Sequence, residues 1–547
     1  MPRLFTRRDF LERSAAVGSA VAAASLLTPG AAFAQPAGID SRSEDLEDIG
    51  NTFPLGSARD VTIQGGVLRS TSRGGVFTSR VLRSATPFTH LGLHWSAVVP
   101  DSTDLRFELR TSPDGVAWSA WAAVRVETLP HESSVGDFFA SLVSTPGARF
   151  VQYRATFSTD AGASPSLRRV TATAIDSRPA PVGSSALATR TVTDALTGRS
   201  VTVIARQQWG ANEAYRFSRK GKEIWPEQFV PFKKIVVHHT ATANNYTDGA
   251  AEVRAIYRYH AVTKRWGDIG YNAIVDNGGN LYEGRHGRGE DAATREVLSA
   301  GVVAGHDLSH NYGSAGVALL GDATGLDWPM PSNSGPMWDA LVRYSVFESA
   351  RHFVRPLVAG KDSQAVDSDI AVADFLRSDD AWSDAMRNVS GHQETNATTC
   401  PGQPVMALLD ELRTAIHNGL VGAGTLKAGV QVGSIARVAN VNQSLTFSWI
   451  DQDLNGWAVD HYEYCWEGWF KPATSDDVQY LTLGSGYEAS DWGSAQPRQR
   501  WQPTAAKTLM LTPLAAGHYT LHVRAIVTGF GGTARGLYEG NHTYLVK

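Results

Sequence analysis

Apolar and polar residues alternate with a period of two through residues 58–180. Phe88-Thr-His-Leu-Gly-Leu-His-Trp95 and Leu105-Arg-Phe-Glu-Leu-Arg110 each send every second side chain to one face, as a half-buried strand requires. Asp114-Gly115 supplies a turn, and residues 150–157 and 167–175 continue the rhythm. The pattern predicts an antiparallel β-sandwich accessory domain. From residue 200 to 420 it changes. The apolar run 235–239 reads as a strand. Val253, Ile256, Tyr257 and His260 then recur at helical offsets behind Asp248, a plausible N-cap. A strand pair turns at Asp276-Asn-Gly-Gly, an apolar strand covers 316–321, and helices are predicted over 337–353 and from Pro404 onward. Strands interleaved with helices predict an α/β domain, a mixed sheet covered on both faces. Beyond the Gly-rich stretch 419–433 the period of two returns. It predicts a second sandwich over 434–547, of immunoglobulin or fibronectin type III-like form.

The intervening segments lack periodicity. Residues 35–57 are polar and acidic, and 179–200 are rich in Ala, Ser, Pro and Thr, so both read as linkers. Residues 358–388 interrupt the α/β pattern, either as a wall over a site or as a surface excursion. Trp95, Trp118 and Trp121, and the six Trp after residue 434, read as aromatic core ahead of sugar-stacking platforms.

At 547 residues the chain exceeds one hydrophobic core, which agrees with several domains. A net charge of −4 without a Lys/Arg stripe argues against a nucleic-acid partner. Thr6-Arg7-Arg8-Asp9-Phe10-Leu11 has the form of a twin-arginine signal, followed by a weakly apolar run at 14–27 and Ala32-Phe33-Ala34. That run falls short of the roughly 20 apolar residues a membrane span needs. Residues 1–34 are therefore expected to direct export, with cleavage before Gln35 and a secreted or wall-associated product without a membrane span.

An exported chain normally pairs its cysteines, and this one has two, Cys400 and Cys465, in different predicted domains. Cys465 reads as a strand residue in a core. Cys400 is left free for chemistry. In Gly391-His-Gln-Glu-Thr-Asn-Ala-Thr-Thr-Cys-Pro-Gly402 it follows His392 by eight residues, and the strand at 235–239 ends in His238-His239. Two imidazoles and a thiolate converging would make a zinc site with its fourth position open, the catalytic form of such sites. Neighbours in a strand point to opposite faces, so only one of His238 and His239 can serve; the pattern does not choose. Glu394 reads as a solvated loop acid, and His260, on the apolar face of its helix, as structural.

Seven motifs occur in the order seen in peptidoglycan recognition proteins and the zinc N-acetylmuramoyl-L-alanine amidases of phage-lysozyme type. They are Trp209-Gly-Ala, Val-Val-His238-His-Thr-Ala-Thr, Asp268-Ile-Gly-Tyr271-Asn, Leu281-Tyr-Glu-Gly-Arg285, Gly305-His306, Gly313-Ser-Ala-Gly-Val-Ala-Leu-Leu-Gly-Asp322 and Gly391-His392…Cys400-Pro-Gly. The central domain thus resembles that family, and the β modules lie outside the resemblance. It implies one Zn2+ held by His238, His392 and Cys400, a catalytic Tyr271, and Thr398 where the phage-type enzymes carry lysine. It further implies Thr240, Arg285, His306 and Asn311 along a substrate groove or beside the metal ligands. The implied substrate is peptidoglycan or its muropeptides, and the implied reaction is hydrolysis of the amide joining the lactyl group to L-Ala. Members without the cysteine are commonly non-catalytic binders, the alternative reading. This chain keeps it.

Overall fold

The computed structural model describes residues 41–546 apart from 127–134, 160–162, 179–186, 195–198, 230–231, 233, 290–294, 309, 312, 326, 353, 355, 357–386, 422–428, 434–437, 453–457, 471–478, 483–501, 514–516, 530–531 and 536–539. The expected export signal and nearly all of the 358–388 segment lie outside the described residues.

Residues 42–176 form one hydrogen-bonded sheet of eleven strands, dominated by the long strands Leu82–Val98, Val143–Ser158 and Ser166–Asp176. Trp95 is core, with its ring 4.3 Å from that of Phe107. Trp118 and Trp121 are not. They stay half-buried, each 4.7 Å from the Arg110 guanidinium, and Arg154 lies 4.8 Å from Trp121.

The expected linker at 35–57 contains a strand. Arg42–Ile49 pairs residue for residue with the segment from Arg169 to Asp176. Its period of two was hidden because one inward position is an acid: Asp48 is buried and accepts hydrogen bonds from the Tyr153 hydroxyl at 2.8 Å and the Thr52 hydroxyl at 2.5 Å. A buried carboxylate is tolerable only when satisfied in this way. The second expected linker likewise carries a hairpin, Arg190–Thr193 against Ser200–Val203, whose Val201 and Val203 enter the central core.

The central domain is built on a five-stranded mixed sheet. Its elements in chain order are β1 (Lys234–His239), α1 (Gly249–Arg258), β2 (Ala273–Val275), β3 (Leu281–Glu283), β4 (Ser314–Leu319), α2 (Pro336–His352), β5 (Val389–Gly391) and α3 (Leu409–Val421). The sheet order is β3-β2-β4-β1-β5. All neighbours run parallel except β2 and β3, which are joined by the expected turn. The Asp248 carboxylate accepts from the Ala251 amide and caps α1. Ile235, Val237, Val317 and Leu319 face α2 and α3, whereas Ile274 and Ala318 face α1, so both faces of the sheet are covered.

The C-terminal residues form a three-stranded and a seven-stranded sheet that bury a shared cluster including Phe447, Trp449, Trp466 and Tyr519. Cys465 lies on strand Ala458–Phe470, opposite His522 in register. Among the described residues no helix is long and apolar enough to cross a membrane.

Candidate metal centre

Alternation along β1 settles which histidine turns toward the loop after β5. Ile235 and Val237 face α2 and α3, so His238 faces the α1 side and His239 the opposite one. The His239 ring accepts from the Ala323 amide at 3.1 Å. Burial pushes its pKa down to about 4 against the opposing pull of Asp322, so it is neutral at ordinary pH.

β5 runs parallel beside β1, with Val237 opposite Gly391, so the next residue of each strand is a histidine: His238 and His392. Both therefore emerge at the carboxyl ends of adjacent parallel strands, where open α/β sheets place their ligands. The loop then returns through Thr395 and Asn396, both of which donate to Asp307, and turns at Cys400-Pro401-Gly402. Gly402 has φ +91°, and a Cβ there would lie 2.9 Å from that of Ala323, so the turn needs glycine twice over.

These strands and this turn bring one donor atom each from His238, His392 and Cys400 within 4.8 Å of one another. Cys400 Sγ is 3.7 Å from His238 Nδ1, and the two imidazole centroids are 4.4 Å apart. Tetrahedral zinc, with nitrogen near 2.0–2.1 Å and sulfur near 2.3 Å, sets those two donors about 3.6 Å apart. The donor set fits zinc in spacing and in kind.

Two consecutive residues stand against these rings. His238 Nε2 lies 3.0 Å from His306 Nδ1, and His392 Nε2 lies 3.7 Å from Asp307 Oδ1. With Nδ1 of His238 turned to the metal position, its Nε2–H donates to His306. The other nitrogen of His306 meets the Ser314 hydroxyl at 3.3 Å. The ring of His306 packs flat enough on β4 that a Cβ at Gly316 would approach it to 2.3 Å. Asp307 is fully buried. Burial works against its charge, but His310, His392 and His306 around it outweigh burial and hold the carboxyl below its ordinary range. Such partners fix ring orientation and ligand basicity. Asp307→Asn is expected to lower zinc affinity by about 10–100-fold, measured by chelator competition.

Other expected site residues fall into two groups. Tyr271 is half-buried with its ring 5.6 Å from that of His238. The Thr240 hydroxyl accepts from the Gly321 amide at 3.0 Å and pairs with the Thr242 hydroxyl at 2.8 Å beside Tyr271. Thr398 accepts from the Cys400 amide at 3.2 Å, which braces the ligand turn. Arg285 and Asn311, by contrast, do not line a groove. Asn311 is buried and accepts from the Asp307 amide at 2.8 Å, bracing the loop behind the ligands. Arg285 is buried against Asp268 at 2.6 Å and donates to the carbonyls of Trp225 and Pro226. Asp268 also receives Arg206 at 2.8 Å. Burial alone would raise its pKa, yet the two guanidiniums keep the carboxyl well below the usual range. Arg285→Ala is expected to destabilise the fold by about 3–5 kcal/mol, because it strips one partner from a buried carboxylate; the denaturant midpoint reads this out. Nor is Glu394 merely solvated: it accepts from the Gly391 amide at 2.8 Å, ahead of His392. His260 accepts from the Gly270 amide at 3.1 Å and packs toward Tyr271.

No protein-family model matches the chain. Among curated proteins, the human N-acetylmuramoyl-L-alanine amidase is 30% identical over 237 residues, 43% of this chain and 31% of that protein. Peptidoglycan-recognition protein SC2 of Drosophila melanogaster is 29% identical over 126 residues, 22% of this chain and 56% of that protein. The central domain is thus similar to N-acetylmuramoyl-L-alanine amidases and peptidoglycan-recognition proteins. Similar solved structures include wild-type Drosophila PGRP-LB, at 19% identity and TM-score 0.25, covering 38% of this chain and 91% of that one. Another is the amidase LysC from Clostridium intestinale, at 17% identity and TM-score 0.23, covering 35% and 90%. The chain spans 17–34% of the length of its mammalian amidase relatives, so the likeness concerns a domain.

Proposed function

We propose that this chain is a secreted zinc-dependent N-acetylmuramoyl-L-alanine amidase that hydrolyses the amide between the lactyl group and L-Ala of peptidoglycan. The observation that carries the reading is the convergence of His238, His392 and Cys400, a donor set of the open, catalytic type, in a domain whose relatives include amidases. Zinc held there supplies Lewis acidity toward the scissile carbonyl and toward water. The protein's own part is positional and electrostatic. The His239 amide donates to Cys400 Sγ at 3.4 Å, which favours the thiolate. His306 holds the His238 ring in the orientation that keeps its inner nitrogen unprotonated, and the Asp307 carboxylate lies 3.7 Å from His392 Nε2. Tyr271, beside His238, offers its hydroxyl as a placed donor to the oxyanion that develops on the substrate carbonyl. The twin-arginine segment exports the folded protein in this reading, and the β-rich regions on either side are sandwich modules that accompany the amidase domain.

Purified protein incubated with peptidoglycan is expected to release free stem peptides, to lose that release with a chelator, and to regain it on zinc addition. If muropeptides bind but no stem is freed with zinc present, the chain is a non-hydrolytic recognition protein.

A further inference from the structure

The N-terminal sheet does not hang from the central domain on a tether. Its Leu142 and Ile175 share one apolar cluster with Val253, Ile256 and Tyr257 of α1. His90 Nε2 meets Glu252 at 2.9 Å with both side chains buried, and Ser144 donates to the same carboxylate at 3.2 Å. Arg254 donates to the Ser177 carbonyl at 3.0 Å, and the Tyr259 hydroxyl to that of Ala140 at 2.7 Å. The approach is close: a Cβ at Gly92 would sit 2.2 Å from the Tyr259 ring. At a second point Arg125 reaches Asp322, 3.6 Å from the His239 ring.

This docking falls on the same face of the sheet as His238. α1 passes there into a π-turn, Tyr259–Thr263. At its start Tyr259 reaches the Ala140 carbonyl of the N-terminal module, and His260 faces Tyr271, with ring centroids 5.8 Å apart. Between them lies a pocket lined by Thr240, Thr242, Ile256, Tyr259, His260 and Tyr271, with Leu142, just before strand Val143–Ser158 of the N-terminal module, also in its lining. The lining mixes two hydroxyls with apolar carbon. Leu142 bounds the pocket on the side of the N-terminal module, so a larger group entering there meets that side chain.

We propose that the N-terminal module is a fixed wall of the substrate cleft, and that Leu142 sets the size of the group accepted beside the scissile amide. The inference rests on the amidase reading. Two methyls flank that amide, one on the lactyl carbon and one on L-Ala, and the test separates them. Full-length zinc-loaded protein is compared with Leu142→Ala on three muropeptides: the natural one, one with L-Val in place of L-Ala, and one with the lactyl methyl lengthened to ethyl. The wild type should discriminate against one enlarged substrate by about 10–200-fold in kcat/KM, and Leu142→Ala should narrow that ratio at least tenfold in that arm alone. The volume-conserving Leu142→Met should retain it, which separates pocket size from loss of fold. In Cys400→Ser protein, the calorimetric affinity ratio for the same pair should narrow in parallel when Leu142→Ala is added. Ratios unchanged by Leu142→Ala in both arms would overturn the wall while leaving the amidase reading intact. Failure of the wild type to cleave even the natural muropeptide would overturn both.

Discussion

Cys400→Ser is expected to abolish the release of stem peptides, lowering it by more than about 100-fold, together with loss of bound zinc. The figure exceeds the 10–100-fold typical of groups behind a ligand because the sulfur is itself a donor. Serine preserves the size of the side chain, yet its hydroxyl does not ionise near neutral pH and is a poor zinc ligand. Cys400 is buried in a turn held by Thr398 and Gly402, so the fold around it should survive. Muropeptide mass spectrometry and metal analysis on the same preparation check the two halves of the result. A variant that loses zinc but still frees peptides would show that the sulfur serves structure alone.

Tyr271→Phe is expected to lower kcat by about 100–1,000-fold while KM and zinc content stay close to those of the wild type. That is the effect of removing one placed donor to a developing oxyanion, roughly 2.7–4 kcal/mol. The ring packs between His238 and His260, and Phe keeps that packing, so the difference isolates the hydroxyl. A change in KM with kcat unaltered would assign Tyr271 to ground-state binding instead.

Much of the central fold was legible because its strands are apolar runs and its helices carry helical offsets. Asp248 caps α1, and β1 through β4 lie where the pattern put them, whereas β5, only three residues long, gave no periodic signal. The strand Arg42–Ile49 was not legible, because one of its inward positions is Asp48, whose partner Tyr153 is 105 residues away. No local pattern reports a satisfied buried acid. The converging trio His238, His392 and Cys400 was legible as residue types, but alternation alone left His238 and His239 equivalent. What separates them is which sheet face α2 and α3 cover. Asp307 was missed, although an acid directly after His306 and within a few residues of His310 and Asn311 was a usable signal. Motif position leaves Arg285 and Asn311 either along a groove or beside the ligands. Their burial against Asp268 and the Asp307 amide shows that motif residues can serve the frame behind a site.

The most direct measurement is X-ray absorption at the zinc edge of purified full-length protein. Expected is one zinc per chain with a single sulfur near 2.3 Å, two imidazole nitrogens near 2.0–2.1 Å and one light solvent atom, the sulfur contribution vanishing in Cys400→Ser. A zinc shell without sulfur, or one that Cys400→Ser leaves unchanged, would contradict the convergence of His238, His392 and Cys400 on one metal.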